Sequence, residues 1–206
     1  HFYLANTVTV NYYGNGNGGL TFSYAIGSEK GEYCGYGYGS LTEEFREKIS
    51  DNTFLETVNK VKVKKGDLFF IEAGTLHAIG KGILLAEIQQ NSNTTYRVYD
   101  YGRLGADGKP RELHVEKAID VTNCTPPTRS TNPEGELVSG NGYKSQLLTR
   151  CDLFNVEKVS VTDYYTTIAD ENSFVSVLVT DGNGMIDEIE INKGDSLFIP
   201  ASYGEF

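Results

Sequence analysis

A nine-residue stretch of this chain occurs almost twice. Lys65-Gly66-Asp67-Leu68-Phe69-Phe70-Ile71-Glu72-Ala73 is echoed by Lys193-Gly194-Asp195-Ser196-Leu197-Phe198-Ile199-Pro200-Ala201, with Lys, Gly, Asp, Phe, Ile and Ala kept in place. Lys-Gly-Asp favours a tight turn, and the apolar run behind it reads as a buried strand. Two copies of one turn-and-strand unit predict two related β-barrel units. The copies end differently. Gly74-Thr75-Leu76-His77 follows the first, whereas Ser202-Tyr203-Gly204 occupies that place after the second, with no histidine. The first unit can therefore hold a site, and the second reads as structural.

The remaining pattern is also mostly β. Thr7-Val8-Thr9-Val10 and Leu20 to Ile26 alternate as strands, separated by a turn or loop at Gly14 to Gly19. Val61 and Val63 alternate with lysines, and Ile83 to Gln90 reads as a further strand. Tyr96 to Tyr101 reads as a strand or an ordered loop. After the second turn-rich stretch come Phe154 to Val161, Tyr164 to Ile168, Phe174 to Thr180 and Met185 to Ile191. One segment changes period. Ser40-Leu41-Thr42-Glu43 has the form of a capping box, and Leu41, Phe45 and Ile49 make one stripe on a short helix. Thr53-Phe54-Leu55-Glu56 repeats the capping pattern, so a second helical turn is expected. Asn123 to Asn141, with Pro126, Pro127 and Pro133, reads as a linker or long crossover.

Composition narrows the function. The 206 residues carry a formal net charge of −10 with no basic run, which argues against a nucleic-acid surface. No run of about 18 apolar residues is present, so no membrane span is expected. Cys34, Cys124 and Cys151 are far apart and odd in number, and read as free thiols of a cytoplasmic protein. The sequons at Asn93 and Asn123 then carry no meaning. An anionic small molecule remains possible, because a few lysines and arginines in one cleft can outweigh a mildly acidic exterior.

The pattern Gly66-Asp67-x3-Ile71-x2-Gly74-x2-His77 matches the second motif of cupin barrels. A lone histidine is more often an ordinary hydrogen-bonded residue. Within this motif the metal-ligand reading of His77 is preferred, since Gly74 permits the bend that aims it inward. Further on, Gly74-Thr75-Leu76-His77-Ala78, Glu87-Ile88-Gln89-Gln90-Asn91-Ser92-Asn93 and Thr95-Tyr96-Arg97-Val98-Tyr99-Asp100-Tyr101-Gly102-Arg103 follow at fixed spacing, with Pro110-Arg111-Glu112-Leu113-His114 behind them. Here the chain resembles the class I mannose-6-phosphate isomerases of the bacterial short form, in the cupin superfamily. The resemblance implies a mainly β fold of two cupin-type (jelly-roll) barrels with a short helical insertion. Residues 1–125 would form the catalytic barrel with its insertion at 40–60. Residues 142–206 would form a second, metal-free barrel, incomplete at its C-terminal end. It also implies one zinc ion per chain, a sugar-phosphate substrate, and His77 as a metal ligand. Of the family's other ligand motifs, Gly-Lys-Thr-Glu-x-Trp-Tyr would fall near Gly18 to Tyr24, with Thr21 in the place of the glutamate. No Gln-x-His occurs, and His1 upstream lacks its glutamine.

An aldose–ketose isomerisation moves a proton between C1 and C2 through an enediol, which needs a base and a cation for the developing oxyanion. Glu87 is the candidate base or substrate-orienting acceptor, its alternative being an ion pair with a neighbouring Arg or Lys. Arg97 offers a permanent forked donor for the enediolate or the phosphate. Arg103, Arg111 and His114 read as loop-holding residues, and Tyr99 and Tyr101 as core or pocket lining. Two other classes compete. A non-catalytic cupin paralogue would bind a sugar phosphate or serve structurally with the metal site lost. A cupin dioxygenase would need two or three well-placed histidines, and the only histidines are His1, His77 and His114.

Overall fold

The computed structural model describes residues 5–12, 21–27, 31–37, 43–56, 58–80, 82–89, 95–122 and 128–206. The expected loop at 14–19, the capping residues 40–42, His1 and the strings at 90–94 and 123–127 lie outside the described residues. The described strands are β1 (Ala5–Tyr12), β2 (Thr21–Gly27), β3 (Gly31–Gly37), β4 (Val58–Val63), β5 (Leu68–Ile71), β6 (His77–Ile79), β7 (Leu84–Gln89) and β8 (Val138–Ser139). They continue as β9 (Tyr143–Arg150), β10 (Phe154–Val161), β11 (Ile168–Ala169), β12 (Val175–Asp181), β13 (Asn183–Ile186), β14 (Ile189–Asn192), β15 (Ser196–Ile199) and β16 (Gly204–Glu205). Helix α1 (Glu43–Ser50) and a 3-10 turn at Phe54–Glu56 fall where helix was expected. Helix α2 (Val115–Val121) was not anticipated. Among the described residues no helix is long and apolar enough to cross a membrane.

The chain divides into two compact units, residues 18–129 and residues 1–17 with 130–206. The expected boundaries grouped residues 1–125, so the difference lies in β1. Its alternating Thr7-Val8-Thr9-Val10 is hydrogen-bonded on one side to β10 and on the other to β12. The result is a six-stranded antiparallel sheet in the order β15–β12–β1–β10–β9–β8. Phe154, Val156, Val159, Leu148 and Val179 are almost completely buried and form much of this unit's core. A segment read as one strand, Met185 to Ile191, is instead the hairpin β13–β14, turning at Asp187 with a left-handed φ of 50°. Tyr164 to Ile168 contributes only the start of β11.

Residues 18–129 contain two three-stranded antiparallel sheets, β5–β2–β7 and β4–β3–β6. Mainly β architecture is thus observed, but no sheet closes into a barrel among the described residues. Valines 61 and 63 of β4 pack with Phe69 and Ile71 of β5, joined by Ile83. The two sheets therefore meet face to face across an apolar layer. A second cluster of Phe54, Val98 and Ala118, with Ile49, Val58, Leu76 and Tyr99 against it, ties α1, α2 and the 3-10 turn to the same unit.

The sequence echo is a geometric repeat. In the first copy Asp67 N–H donates to the Lys64 carbonyl at 3.1 Å, and its carboxylate accepts from Lys64 N–H at 3.0 Å. In the second, Asp195 N–H donates to the Asn192 carbonyl at 2.9 Å, and its carboxylate accepts from Asn192 N–H at 2.7 Å. Gly66 and Gly194 both have φ of 97°. The strands end alike too. Gly74 and Ser202 take left-handed φ of 85° and 63°, with Thr75 N–H on the Glu72 carbonyl and Tyr203 N–H on that of Pro200. Counting on from these turns, His77 corresponds to Glu205. Among the described residues beyond the chain neighbours, no atom lies within 4 Å of a Cβ built on Gly66 or Gly194, so what a substitution there meets is backbone strain. Gly66→Ala and Gly194→Ala should each cost about 1–2 kcal/mol, by equal amounts, in urea unfolding. A neutral result at either position would show that its turn differs from the one described.

Candidate active site

Strand register decides where the candidate residues face. In one sheet Phe69 and Glu87 both stand opposite Ser23, and Ile71 and Gln89 both stand opposite Thr21. Side chains opposite one another share a face of a pleated sheet, so Glu87 and Gln89 lie on the face of Phe69 and Ile71. In the other sheet Val61 and Ile79 both stand opposite Tyr33, and His77 precedes Ile79 by two residues. His77 therefore shares a face with Val61 and Val63. Because those valines pack on Phe69 and Ile71, the two faces look at each other. His77 and Glu87 thus project from opposite sheets into the space between them. Both are exposed, while Ala86 and Ile88, on the reverse face of β7, are buried.

The ring of His77 is oriented by its own turn. Its Nδ1 lies 2.9 Å from the Thr75 carbonyl. A carbonyl only accepts, so Nδ1 carries the proton and the lone pair of Nε2 is left for a ligand. A backbone carbonyl behind one ring nitrogen is the common support for a metal-binding imidazole. His77 thus fits a zinc centre as one ligand. Among the described residues, however, no group of three His, Cys, Asp or Glu side chains is placed to hold a metal ion. Nor does Glu87 have a hydrogen-bond or ion-pair partner among the described residues, so the ion pair weighed as its alternative is not formed there.

Arg97 stands on a different support. Its backbone N–H donates to His114 Nδ1 at 3.1 Å, its carbonyl accepts from His114 N–H at 2.7 Å, and its Nη1 donates to the Glu112 carbonyl at 3.1 Å. The side chain is half-buried, and the rest of its guanidinium fork has no partner among the described residues. Leu76 and Val98, the neighbours of His77 and Arg97, pack in the same apolar cluster, which brings those two segments together. Among the described residues no hydrogen bond or ion pair joins His77, Glu87 and Arg97 directly.

The other arginines serve the loop, as their sequence reading had it. Asp100, only 7% exposed, accepts from Arg103 Nη2 at 2.6 Å and from Arg111 Nε at 2.6 Å, and also meets Arg111 Nη2. Arg111 above all, with Arg103 and against the effect of burial, holds the Asp100 carboxyl at about 2, below its ordinary 3.8. Tyr99 donates to Asn52 Oδ1 at 2.8 Å and meets Phe54 at a tilt and Tyr101 edge-on, a structural role. The importance of Asp100 was not recognised in the sequence, although three arginines within fifteen residues of it were a signal of a buried anion.

Comparison with known proteins bears on the family and the fold. Residues 144–206 match the family model described as mannose-6-phosphate isomerase, cupin domain. The mannose-6-phosphate isomerase ManA of Bacillus subtilis is 37% identical over 210 aligned positions, covering 98% of this chain and 65% of that protein. The mannose-6-phosphate isomerase of Streptococcus mutans is 34% identical over 182, covering 86% of this chain and 56% of that protein. The crystal structure of mannose 6-phosphate isomerase from Bacillus subtilis aligns with a TM-score of 0.78 at 27% identity, over 100% of this chain and 71% of that one. The apo enzyme of Salmonella typhimurium, at 14% identity and a TM-score of 0.54 over 94% of this chain and 64% of that one, shares the fold. This chain spans less than two thirds of the length of these curated relatives. It belongs to the family of cupin-type mannose-6-phosphate isomerases.

The Asp100 cluster gives a pH test. A carboxyl held below its ordinary value stabilises the fold above about pH 4, and that contribution is lost as pH falls toward 2. Asp100→Asn should lower the unfolding midpoint at pH 7, with the gap to the parent narrowing between pH 4 and pH 2. A gap that stays constant across that range would mean that the carboxylate charge does not hold this loop.

Proposed function

We propose that the chain interconverts mannose 6-phosphate and fructose 6-phosphate through an enediol, in a zinc-dependent site within the unit of residues 18–129. What supports this most is one arrangement: His77, with Nε2 left open, and Glu87, without a partner among the described residues, project from facing sheets into the same space. The relatives named as mannose-6-phosphate isomerases support the choice of substrate. The same reading makes each unit a cupin-type barrel built on its sheets.

The chemistry divides among this chain's residues. Glu87 takes the proton from C2 of the aldose, and the electron pair left behind forms the enediolate with C1. The same carboxyl returns a proton to C1, while a proton passes from the C2 oxygen to the C1 oxygen, so the product is an isomer with nothing gained or lost. Arg97 presents its fork to the negative charge that appears on the oxygens between those two transfers, or to the substrate phosphate. Zinc, held by His77 among its ligands, would supply a Lewis acid that polarises the sugar oxygens.

The two roles open to Arg97 separate kinetically. If it stabilises the enediolate, Arg97→Ala should lower kcat on the order of 10²-fold, with Arg97→Lys less affected because it keeps the charge but not the fork. If it grips the phosphate equally in both states, KM should rise while kcat holds. Steady-state kinetics with mannose 6-phosphate in the zinc-supplemented chain is the measurement. Parental kcat and KM in a stably folded Arg97→Ala variant would remove Arg97 from the site.

A further inference from the structure

Arg97 is the candidate residue with the most elaborate support, and His114 supplies two of the three hydrogen bonds it makes among the described residues. The imidazole of His114 accepts the Arg97 N–H at Nδ1, while the His114 N–H returns a bond to the Arg97 carbonyl. The pair is reciprocal, so both the position and the tilt of the Arg97 peptide are held from the same residue. An acceptor Nδ1 requires the proton of the neutral ring to be on Nε2, the opposite tautomer to that of His77. Glu112 Oε2 lies 4.0 Å from that Nε2, and the Tyr96 ring meets the imidazole edge-on at 6.1 Å. Glu112 also lends its carbonyl to the Arg97 guanidinium.

His114 is itself well anchored. It stands at the N-cap of α2, and its carbonyl accepts from Ala118 N–H at 2.9 Å. Its side chain makes no cap to its own helix, being committed to Arg97 instead. Ala118, 2% exposed, fixes the helix in the cluster of Phe54 and Val98. Arg46 of α1 holds Glu116 of α2 through two bonds, at 3.0 and 2.8 Å. Arg97 is therefore tied through His114 to the helical part of the unit, while its neighbour Val98 packs near Val58 of the His77 sheet and Leu76 beside it.

We propose that His114 is a positioning residue for Arg97, acting through the Nδ1 acceptor and not by touching the substrate. This rests on the isomerase reading, in which Arg97 meets the reacting sugar. A small displacement of such a group is enough to slow the reaction. His114→Ala removes the acceptor. His114→Asn keeps one, because the amide oxygen of asparagine reaches nearly where Nδ1 does.

The test measures kcat, KM and the hydrogen exchange of the Arg97 amide in the zinc-supplemented full chain and in both variants, with Arg97→Ala beside them. His114→Ala should lose about 10-fold or more in kcat with KM near parental, and the Arg97 amide should exchange faster. His114→Asn should recover most of both. Parental kcat in His114→Ala beside an inactive Arg97→Ala overturns the proposal. So do equal losses in the two His114 variants with equally early melting, which mark a merely structural residue. If Arg97→Ala itself turns over normally, the reading of Arg97 fails and the catalytic role of His114 falls with it. In that case slow, unchanged exchange at the Arg97 amide in His114→Ala would also refute the clamp itself.

Discussion

The layer in which Val61 and Val63 meet Phe69 and Ile71 decides what the rest of its unit can do. Val63, Phe69 and Ile71 are buried, and each such side chain contributes about 1.5–3 kcal/mol, with the partly buried Val61 adding less. The layer also fixes which residues face inward. Strand side chains alternate, and a slip of one residue would send every inward position outward. His77 and Glu87 share the odd-numbered faces of that layer, so the same packing that holds the sheets together also aims both groups into the space between them. The turn at Lys64 to Asp67 guards this register, because β4 and β5 leave it in opposite sheets with their valines and aromatics already matched.

Much of this was legible in the sequence. The Lys-Gly-Asp echo emerged as two turns with the same hydrogen bonds and the same glycine torsion, since that torsion and an aspartate acceptor are what the residue types favour. The period-two segments became β1, β2, β7, β10 and β12 within a residue or two, and β4, which starts three residues before the alternation read at Val61. Misses have physical causes. Met185 to Ile191 is apolar enough for one strand, but the left-handed torsion of Asp187 folds it back. Helix α2 is short and rich in valine and isoleucine, which favour strands on propensity alone. It is held by Ala118 in the core, and the exposed Arg46–Glu116 pair adds little beyond fixing its orientation; both are contacts between segments distant in the chain. Likewise, nothing local says that β1 pairs with β10 and β12.

The site was legible as a set of residues and not as an arrangement. Motif spacing singled out His77, Glu87 and Arg97, but it is register that sets His77 and Glu87 on facing sides of their two sheets. Tautomers are beyond any sequence reading. The turn carbonyl of Thr75 decides that of His77, and the Arg97 amide decides that of His114. The repeat sharpens the contrast between the units. After matching turns the first copy presents His77 and the second Glu205, so a shared scaffold carries an imidazole in one case and a carboxylate in the other.

The central claim is that the space between the two sheets is where the sugar reacts. It is tested most directly by following mannose 6-phosphate in heavy water with the zinc-supplemented chain, and with its His77→Ala and Glu87→Gln variants. The parent should form fructose 6-phosphate with solvent deuterium at C1, to the extent that the carboxyl proton exchanges before it returns. Both variants, still folded, should lose product and deuterium together. Parental turnover and labelling in either variant would contradict it.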